Sequence, residues 1–294
     1  MNASTDSTLP LAAKPPVRAR RRVNVAGSLS LAVLLFWLVA AVVGPSLMSQ
    51  GGGSMGEAAV FAPISAAHWF GTDFLGRDVL ARVVQGTRYT VGVALAATLL
   101  ASGLGTLLAL LAASSGRWFD AVLSRAIDTV TSVPGKMFAL IMVAAFGSSM
   151  PTLVLTAAII YLPGAYRIAR SLAVNIDAMD YVTVARTRGE GRLYIMLHEI
   201  LPNIVGPMLA DLGLRFVYVV LLLASLSFLG LGVQPPAADW GSLVRENIGA
   251  LPLGSAAIIM PALAIASLTI AVNLLIDNLP GRSTRGAKDR KSVV

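Results

Sequence analysis

The chain of 294 residues contains no cysteine, which excludes disulfide frameworks, thiolate metal sites and cysteine nucleophiles. Histidine is nearly as scarce: His68 and His198 are the only two, too few for a histidine-rich metal cluster. The phosphate-binding pattern G-x-x-x-x-G-K-[ST] is also missing, because the single Gly-Lys pair, Gly135-Lys136, is followed by Met137. We therefore expect this chain to bind no ATP and no other cofactor.

Charged residues make up only 13% of the chain, whereas 56% is hydrophobic and the mean hydropathy is +0.75. A soluble domain cannot cover its surface with so few polar groups, so the composition predicts an all-α polytopic membrane protein. The net charge of +8 comes from basic residues between hydrophobic runs. No nucleic-acid-reading pattern accompanies them, and we interpret them as anchors of cytoplasmic loops.

Six runs are apolar and long enough for a helix of about 20 residues to cross a bilayer. The predicted spans cover residues 23–48, 89–116, 126–147, 151–170, 203–232 and 255–277. The uncharged run 137–166 is ambiguous, because it could be one long span or parts of two. Gly147 to Pro151 predicts a turn within it, and only two spans keep the arginines on either side of it in the cytoplasm.

This arrangement predicts that both termini are cytoplasmic, since most Lys and Arg residues then lie inside. The predicted segments are a tail at 1–22, a first transmembrane helix at 23–48, an extracytoplasmic segment at 49–88, a five-helix core at 89–278 with a cytoplasmic loop at 171–202, and a tail at 279–294. We expect a multi-pass location in a lipid membrane.

The stretch Asp180–Asn203, DYVTVARTRGEGRLYIMLHEILPN, is a charged island in this apolar sequence. Gly189 and Gly191 are expected to break a helix, and Pro202 suits the first turn of the next helix. The pattern predicts two brief helical pieces that abut the fifth span. A charged island on the predicted cytoplasmic side is expected to face a soluble partner.

Charged residues within predicted spans are costly unless they are paired or line an aqueous path. Asp211 and Arg215 are four residues apart in the fifth span and share a helix face, so they can pair with each other. Two interpretations stay open for them: a local ion pair, or a role in lining the translocation path. Asp128 and Lys136 lie near the start of the third span, where pairing, or snorkelling of Lys136 to the headgroups, would lower the cost.

Two segments resemble the permease subunits of the dipeptide/oligopeptide/nickel branch of ABC importers. Gly71–Thr90, GTDFLGRDVLARVVQGTRYT, is similar to the branch's GTD-x-x-GRD-x-x-SR segment, with Ala81 in place of the usual Ser. Leu226–Val244, LSFLGLGVQPPAADWGSLV, is similar to its fifth-span exit and outer loop, although Leu223 stands where the branch tends to have Glu. The residues that carry the first motif are Gly71, Thr72, Asp73, Gly76, Arg77 and Asp78.

The charged island resembles the cytoplasmic loop of the same permeases, whose motif runs acid-Ala-Ala, three residues, Gly, a spacer and Leu-Pro. Here Thr183 and Val184 replace the usual Glu and Ala. By this resemblance, the loop docks in a groove of the ATP-hydrolysing subunit. The loop residues so implied are Thr183, Ala185, Arg186, Gly189, Gly191, Ile200, Leu201 and Pro202.

The resemblance runs from about Gly71 onward and is closer to the second permease subunit of the branch. It implies a non-enzymatic permease in the bacterial inner membrane that forms a translocation path for di- or oligopeptides. The implied partners are a second permease in a heterodimer, two ATP-binding subunits and an extracytoplasmic substrate-binding protein.

Two alternatives stay open. One is a permease for nickel or another small solute, for which His68 near Asp73 and Asp78 is a weak metal signal. The other is a non-transport membrane interaction protein. A membrane-embedded enzyme would need a cluster of ionisable groups at one depth, and the pairs in this sequence are too few for one.

Overall fold

The computed structural model describes residues 25–48 and 58–278. Within these ranges every regular element is helical, apart from an isolated β-bridge between Thr72 and Asp78. The α-helices are α1 (Val25–Leu47), α2 (Val79–Ser114), α3 (Arg117–Thr131), α4 (Gly135–Phe146), α5 (Met150–Asp177), α6 (Asp180–Thr187), α7 (Arg192–Tyr194), α8 (Leu201–Phe228), α9 (Trp240–Glu246) and α10 (Ala256–Asp277). The predicted tails 1–22 and 279–294 lie outside the described residues.

Five helical runs are long and apolar enough to cross a membrane, by length and composition. They are α1, α2, α5, the run Arg192–Phe228 that contains α7 and α8, and α10. The bent pair of α3 and α4 would be a sixth. The predicted all-α polytopic fold is therefore confirmed. The third span differs from the prediction, because it is bent.

That third span was predicted as one helix over 126–147, and this is wrong. α3 and α4 meet at 77°, and the twelve residues of α4 reach only about 18 Å, less than the roughly 30 Å of a hydrocarbon core. Pro134 lies between α3 and α4 and accounts for the break, because proline disfavours helical backbone in the residue before it. The predicted turn after α4 is present, since α4 ends at Phe146 and α5 begins at Met150.

The second span begins earlier than predicted. α2 starts at Val79 rather than Tyr89, so the extracytoplasmic segment proposed for 49–88 ends in helix. The predicted span started after Arg88, the last charge before the uncharged run, whereas both Arg82 and Arg88 lie within α2. The Arg82 guanidinium contacts the Glu246 carboxylate at 3.6 Å and donates to the Pro236 carbonyl at 3.2 Å, and both partners are far along the chain. α5 likewise continues to Asp177, so the loop placed at 171–202 starts later.

Small residues bring α2 and α5 close together. At Gly105 of α2, a Cβ would lie 2.7 Å from the Cβ of Ala165 on α5, so only glycine allows this approach. Ala97, Ala101 and Ala109 continue the same buried stripe along α2. Two helices that approach this closely gain van der Waals contact that lipid cannot supply.

One end of the bundle is organised around Trp240, at the start of α9. Its side chain is fully buried, and its Nε1–H donates to the Val83 carbonyl at 2.9 Å. The ring packs edge-on against Trp37 of α1, with the ring centroids 4.7 Å apart. A buried tryptophan whose N–H has a partner contributes a large apolar area without stranding a donor. Trp240 thereby ties α9 to α1 and α2.

Candidate functional site

The charged island forms two helical pieces separated by a tight turn. α6 ends at Thr187, and the chain reverses at Gly189, whose φ is +86°. The backbone N–H groups of Gly189 and Glu190 donate to the carbonyls of Arg186 and Ala185. These bonds satisfy the last carbonyls of α6, as in a glycine-terminated helix. The predicted break at Gly189 is present.

The second piece does not end before Pro202 as predicted. Helical structure runs from Arg192 to Phe228 through a π-helical turn at Ile195–Ile200. The Leu201 N–H bonds to the Met196 carbonyl, five residues back. A proline ring clashes with the carbonyl four residues before it, and the wider π turn opens the helix at this point. Pro202 is therefore accommodated inside a continuous helix.

One face of α6 is buried against this helix. Val182 and Ala185 are almost fully buried, and Val182 belongs to a cluster with Ile195, Met196 and Ile200. Burial of this apolar face fixes the position of α6 relative to the helical run Arg192–Phe228.

The other face of α6 is open. Thr183 is exposed, and so are Tyr181 and Val184, at 43% and 54% of their full area. Arg186 forms an ion pair with Asp177 at the end of α5, with 2.6 Å between nitrogen and oxygen. Gly191, Leu201 and Pro202 are not buried. The implied docking residues thus divide between an exposed face and a face that anchors the segment.

Asp211 and Arg215 form an ion pair one turn apart on α8. Arg215 Nη2 lies 2.6 Å from Asp211 Oδ2, and the two side chains are only 7% and 11% exposed. The second guanidinium nitrogen, Nη1, donates to the Tyr161 carbonyl of α5 at 2.6 Å. The charges therefore neutralise each other while joining α8 to α5. The i, i+4 spacing predicted the pair, but nothing in the spacing indicated the bond to Tyr161.

In the Gly71–Asp78 motif, two glycines allow close contact with the segment before it. Gly71 and Gly76 have φ values of +69° and +74°. A Cβ at these positions would lie 2.4 Å from the Ala62 carbonyl oxygen and 2.3 Å from that of Ala58. Both positions therefore require glycine for their backbone conformation and for space.

The polar residues of the motif hold this turn and tie it to α9. Asp73 Oδ1 accepts hydrogen bonds from the backbone N–H groups of Leu75 and Arg77, at 2.8 and 2.9 Å. Arg77 pairs with Asp73 at 2.7 Å and with Glu246 of α9 at 3.5 Å. Thr72 Oγ1 donates to the Ala59 carbonyl at 2.6 Å. The motif residues therefore connect the segment before α2 to α9. We call this set of contacts the clasp.

The suggested metal pattern is not assembled in this region. Asp78 caps α2 by accepting from the Ala81 N–H, and its other oxygen lies 3.0 Å from His68 Nδ1. Asp73 is engaged by Arg77 instead. Across residues 25–48 and 58–278, no three His, Asp or Glu side chains are grouped to hold a metal ion.

Asp239 is a buried carboxylate in a segment that was predicted only as a loop. It is 6% exposed and accepts from Ser227 Oγ at 2.5 Å, from the Ser242 N–H at 2.8 Å and from the Val233 N–H at 3.4 Å. Burial outweighs these bonds and raises the pKa of Asp239 above its ordinary value. The D-x-x-S pattern of a capping box was the signal that could have found it.

Comparison with known proteins agrees with this architecture. The family described as "Binding-protein-dependent transport system inner membrane component" matches residues 105–285. The glutathione transport system permease protein GsiD of Pectobacterium atrosepticum is 35% identical over 215 residues, covering 73% of this chain and 71% of that protein. A putative peptide transport system permease protein of Brucella suis is 33% identical over 278 residues, covering 94% of each chain. The dipeptide transport system permease protein DppC of Haemophilus influenzae is 32% identical over 213 residues, covering 72% of each.

The family match covers more than half of the chain and includes every helix from α3 to α10. Members are non-enzymatic membrane subunits, and partner ATPases hydrolyse ATP. Their complexes also include substrate-binding partners. The chain therefore belongs to the binding-protein-dependent transport system inner membrane components and is a permease subunit of an ABC transporter in the bacterial inner membrane.

Proposed function

We propose that this permease imports short peptides as one half of a heterodimer with a second permease. Two ATP-binding subunits and an extracytoplasmic substrate-binding protein complete the complex. The names of the three relatives support the substrate class, since they refer to glutathione, peptide and dipeptide transport. In this arrangement both termini and α6 lie in the cytoplasm, in accordance with the distribution of basic residues.

The observation that carries the coupling role is the attachment of α6 to a continuous helix. Val182 packs with Ile195, Met196 and Ile200 of the helical run Arg192–Phe228, while Tyr181 and Val184 remain exposed. An ATPase that grips the exposed face would move α6 and the attached helix together. ATP-driven closure of the ATPases would thus reach the translocation path by rigid-body motion.

The pair Asp211–Arg215 has a packing role in this proposal. Its low exposure and the bond from Arg215 to the Tyr161 carbonyl support a structural link between α8 and α5. A residue that lines an aqueous path would need a larger exposed fraction. Of the two interpretations left open by the sequence, the geometry favours the local pair.

A test of coupling uses the complete transporter in proteoliposomes with its binding protein. Val184→Asp places a charge on the exposed face of α6 and should reduce ATP-dependent dipeptide uptake at least tenfold. Val174→Asp is the matched control, since Val174 is 41% exposed near the end of α5, outside α6. Normal uptake by the Val184→Asp complex would contradict the coupling role.

The side of the membrane is tested separately. The chain has no cysteine, so Thr183→Cys provides its single thiol. A membrane-impermeant maleimide should label it from the cytoplasmic side only, and labelling from outside would contradict the proposed topology. A wild-type complex that takes up Ni²⁺ but no dipeptide would contradict the peptide assignment.

A further inference from the structure

A cavity of about 310 Å³ lies between α4, α5 and α8. Its polar lining comes from Lys136 on α4, Tyr161 on α5, and Tyr218 and Ser225 on α8. The volume is within the range of about 300–1,000 Å³ that is common for small-molecule sites. The coupling role and the clasp around α9 make no use of these residues.

The cavity opens at the surface of the bundle, part-way along α5 and α8. Lys136 precedes the end of α4 by ten residues, Tyr161 follows the start of α5 by eleven, and Tyr218 precedes the end of α8 by ten. At about 1.5 Å per residue, all three lie about 15 Å from those helix ends. Arg167 lies six residues after Tyr161 on α5, which is about 9 Å further along the helix axis at about 1.5 Å per residue. A charged group at this depth usually has a function.

Lys136 carries a positive charge that no acidic side chain balances among the described residues. Its side chain is exposed and makes no ion pair or hydrogen bond there. Asp128 is engaged by Arg167 at 2.8 Å, and Asp211 by Arg215 at 2.6 Å. Both of these acids are therefore already paired, and the lining of the cavity contains no acidic side chain, so its one charged group is Lys136.

The two tyrosines form a rigid wall beside this charge. Their rings stack with centroids 6.5 Å apart and an interplanar angle of 13°, and the Tyr161 hydroxyl donates to the Tyr218 carbonyl at 2.9 Å. The Tyr218 hydroxyl makes no hydrogen bond within the described residues, and its side chain is 55% exposed. It can donate to a ligand, as can the ammonium group of Lys136.

We propose that this cavity binds the C-terminal carboxylate of a peptide as it passes through the permease. The ammonium group of Lys136 would pair with the carboxylate, the Tyr218 hydroxyl would donate a hydrogen bond, and the tyrosine rings would pack against the peptide. The proposal rests on the proposed function, because it takes the transported solute to be a peptide. A free ammonium group would repel Ni²⁺, so the site distinguishes the two substrate classes.

Uptake by the reconstituted complex tests the charge of Lys136. Lys136→Met should lower the uptake of a dipeptide at least about tenfold, the loss expected for one charge-assisted hydrogen bond, whereas Lys136→Arg should retain most of it. Met137→Ala is the matched control, because Met137 is the next residue on α4 and is 60% exposed. The same dipeptide with a C-terminal amide, delivered at saturation of the binding protein, should be insensitive to Lys136→Met.

The outcomes separate this inference from the proposed function. If the wild-type complex imports the dipeptide and Lys136→Met imports it equally well, the carboxylate site is wrong and the peptide function stands. If the wild type imports no peptide, the proposed function itself fails. An equal loss for the acid and the amide would also overturn the carboxylate site, because it would show a general defect.

A labelling experiment tests occupancy without relying on transport. Lys136→Cys gives the chain a single thiol, which a water-soluble anionic thiosulfonate reagent should modify in the assembled complex. Dipeptide should slow this modification at least about threefold during turnover, and its amide should protect less. A thiol that reacts only with lipid-soluble reagents would indicate that Lys136 faces the bilayer, and this result would overturn the proposal.

Discussion

Gly164 of α5 lies directly against the guanidinium of Arg215 on α8: a Cβ at residue 164 would be 2.8 Å from Nη1. The missing side chain leaves room for Nη1 to reach the Tyr161 carbonyl. Arg215 therefore has two fixed partners, Asp211 on its own helix and the backbone of α5. The arrangement makes the charge pair part of the contact between two spans.

Asp211→Asn should destabilise the complex more than the double change Asp211→Asn with Arg215→Met. The single change strands the Arg215 charge, and breaking a buried pair in this way costs about 3–5 kcal/mol. The double change removes both charges and loses mainly packing. Thermal unfolding midpoints of the detergent-purified complexes measure the difference, and a single variant as stable as the double variant would refute the pairing.

Gly189→Ala should reduce ATP-coupled uptake, because residue 189 has φ +86°, where a side chain is strained by about 1–3 kcal/mol. Gly189→Pro should abolish uptake, since proline cannot adopt this φ and would also lose the N–H bond to Arg186.

Gly191→Ala is the control for both. Gly191 has φ −73°, and no atom lies near the position of an added Cβ. Uptake and stimulated ATPase activity are measured alongside membrane insertion, which all three variants should retain. Full transport by Gly189→Pro would show that the turn is not needed for coupling.

Gly76→Ala should destabilise the clasp. The new Cβ at residue 76 would lie 2.3 Å from the Ala58 carbonyl oxygen, and the φ of this residue is +74°. Strain of about 1–3 kcal/mol is expected from the backbone alone. Gly249→Ala is the control, because nothing lies within 4 Å of the Cβ position of Gly249. Equal proteolytic resistance of the two variants would contradict this account of the motif.

Stability should depend on pH through Asp239. Its pKa in the folded protein is raised above the ordinary 3.8 by burial, so the folded state holds the proton more tightly than the unfolded state. This contribution is therefore fully present below about pH 4 and is lost as pH rises through the raised pKa.

The thermal midpoint of the wild type should accordingly fall relative to that of Asp239→Asn as pH increases from 4 towards 8. Asn keeps a side-chain oxygen for the helix cap but cannot ionise. Parallel pH profiles for the two proteins would show that Asp239 does not titrate in this range.

Local patterns predicted the parts of the structure that depend on neighbouring residues. The apolar runs gave α1, α5, α8 and α10, the positive φ of Gly189 accounts for the predicted break, and the spacing of Asp211 and Arg215 placed both on one helix face. Each of these features depends on chain periodicity or on the backbone preference of one residue.

The features that were missed depend on contacts between distant residues. The predicted second span started after Arg88, yet the Arg82 guanidinium finds partners in Glu246 and Pro236, and α2 begins at Val79. Asp128 seemed a cost within one straight span, whereas the bend at Pro134 lets α3 pair Asp128 with Arg167 of α5. A hydropathy average along the chain does not include contacts between distant residues.

The helical run from Arg192 to Phe228 contacts α10 near its C-terminal end, where a Cβ added at Gly213 would lie 2.7 Å from Ile276 Cδ1. At about 1.5 Å per residue the run is about 55 Å long, with roughly 30 Å of it on one side of Gly213 and 20 Å on the other. A rigid rotation of the run about this contact would move its two ends in opposite directions.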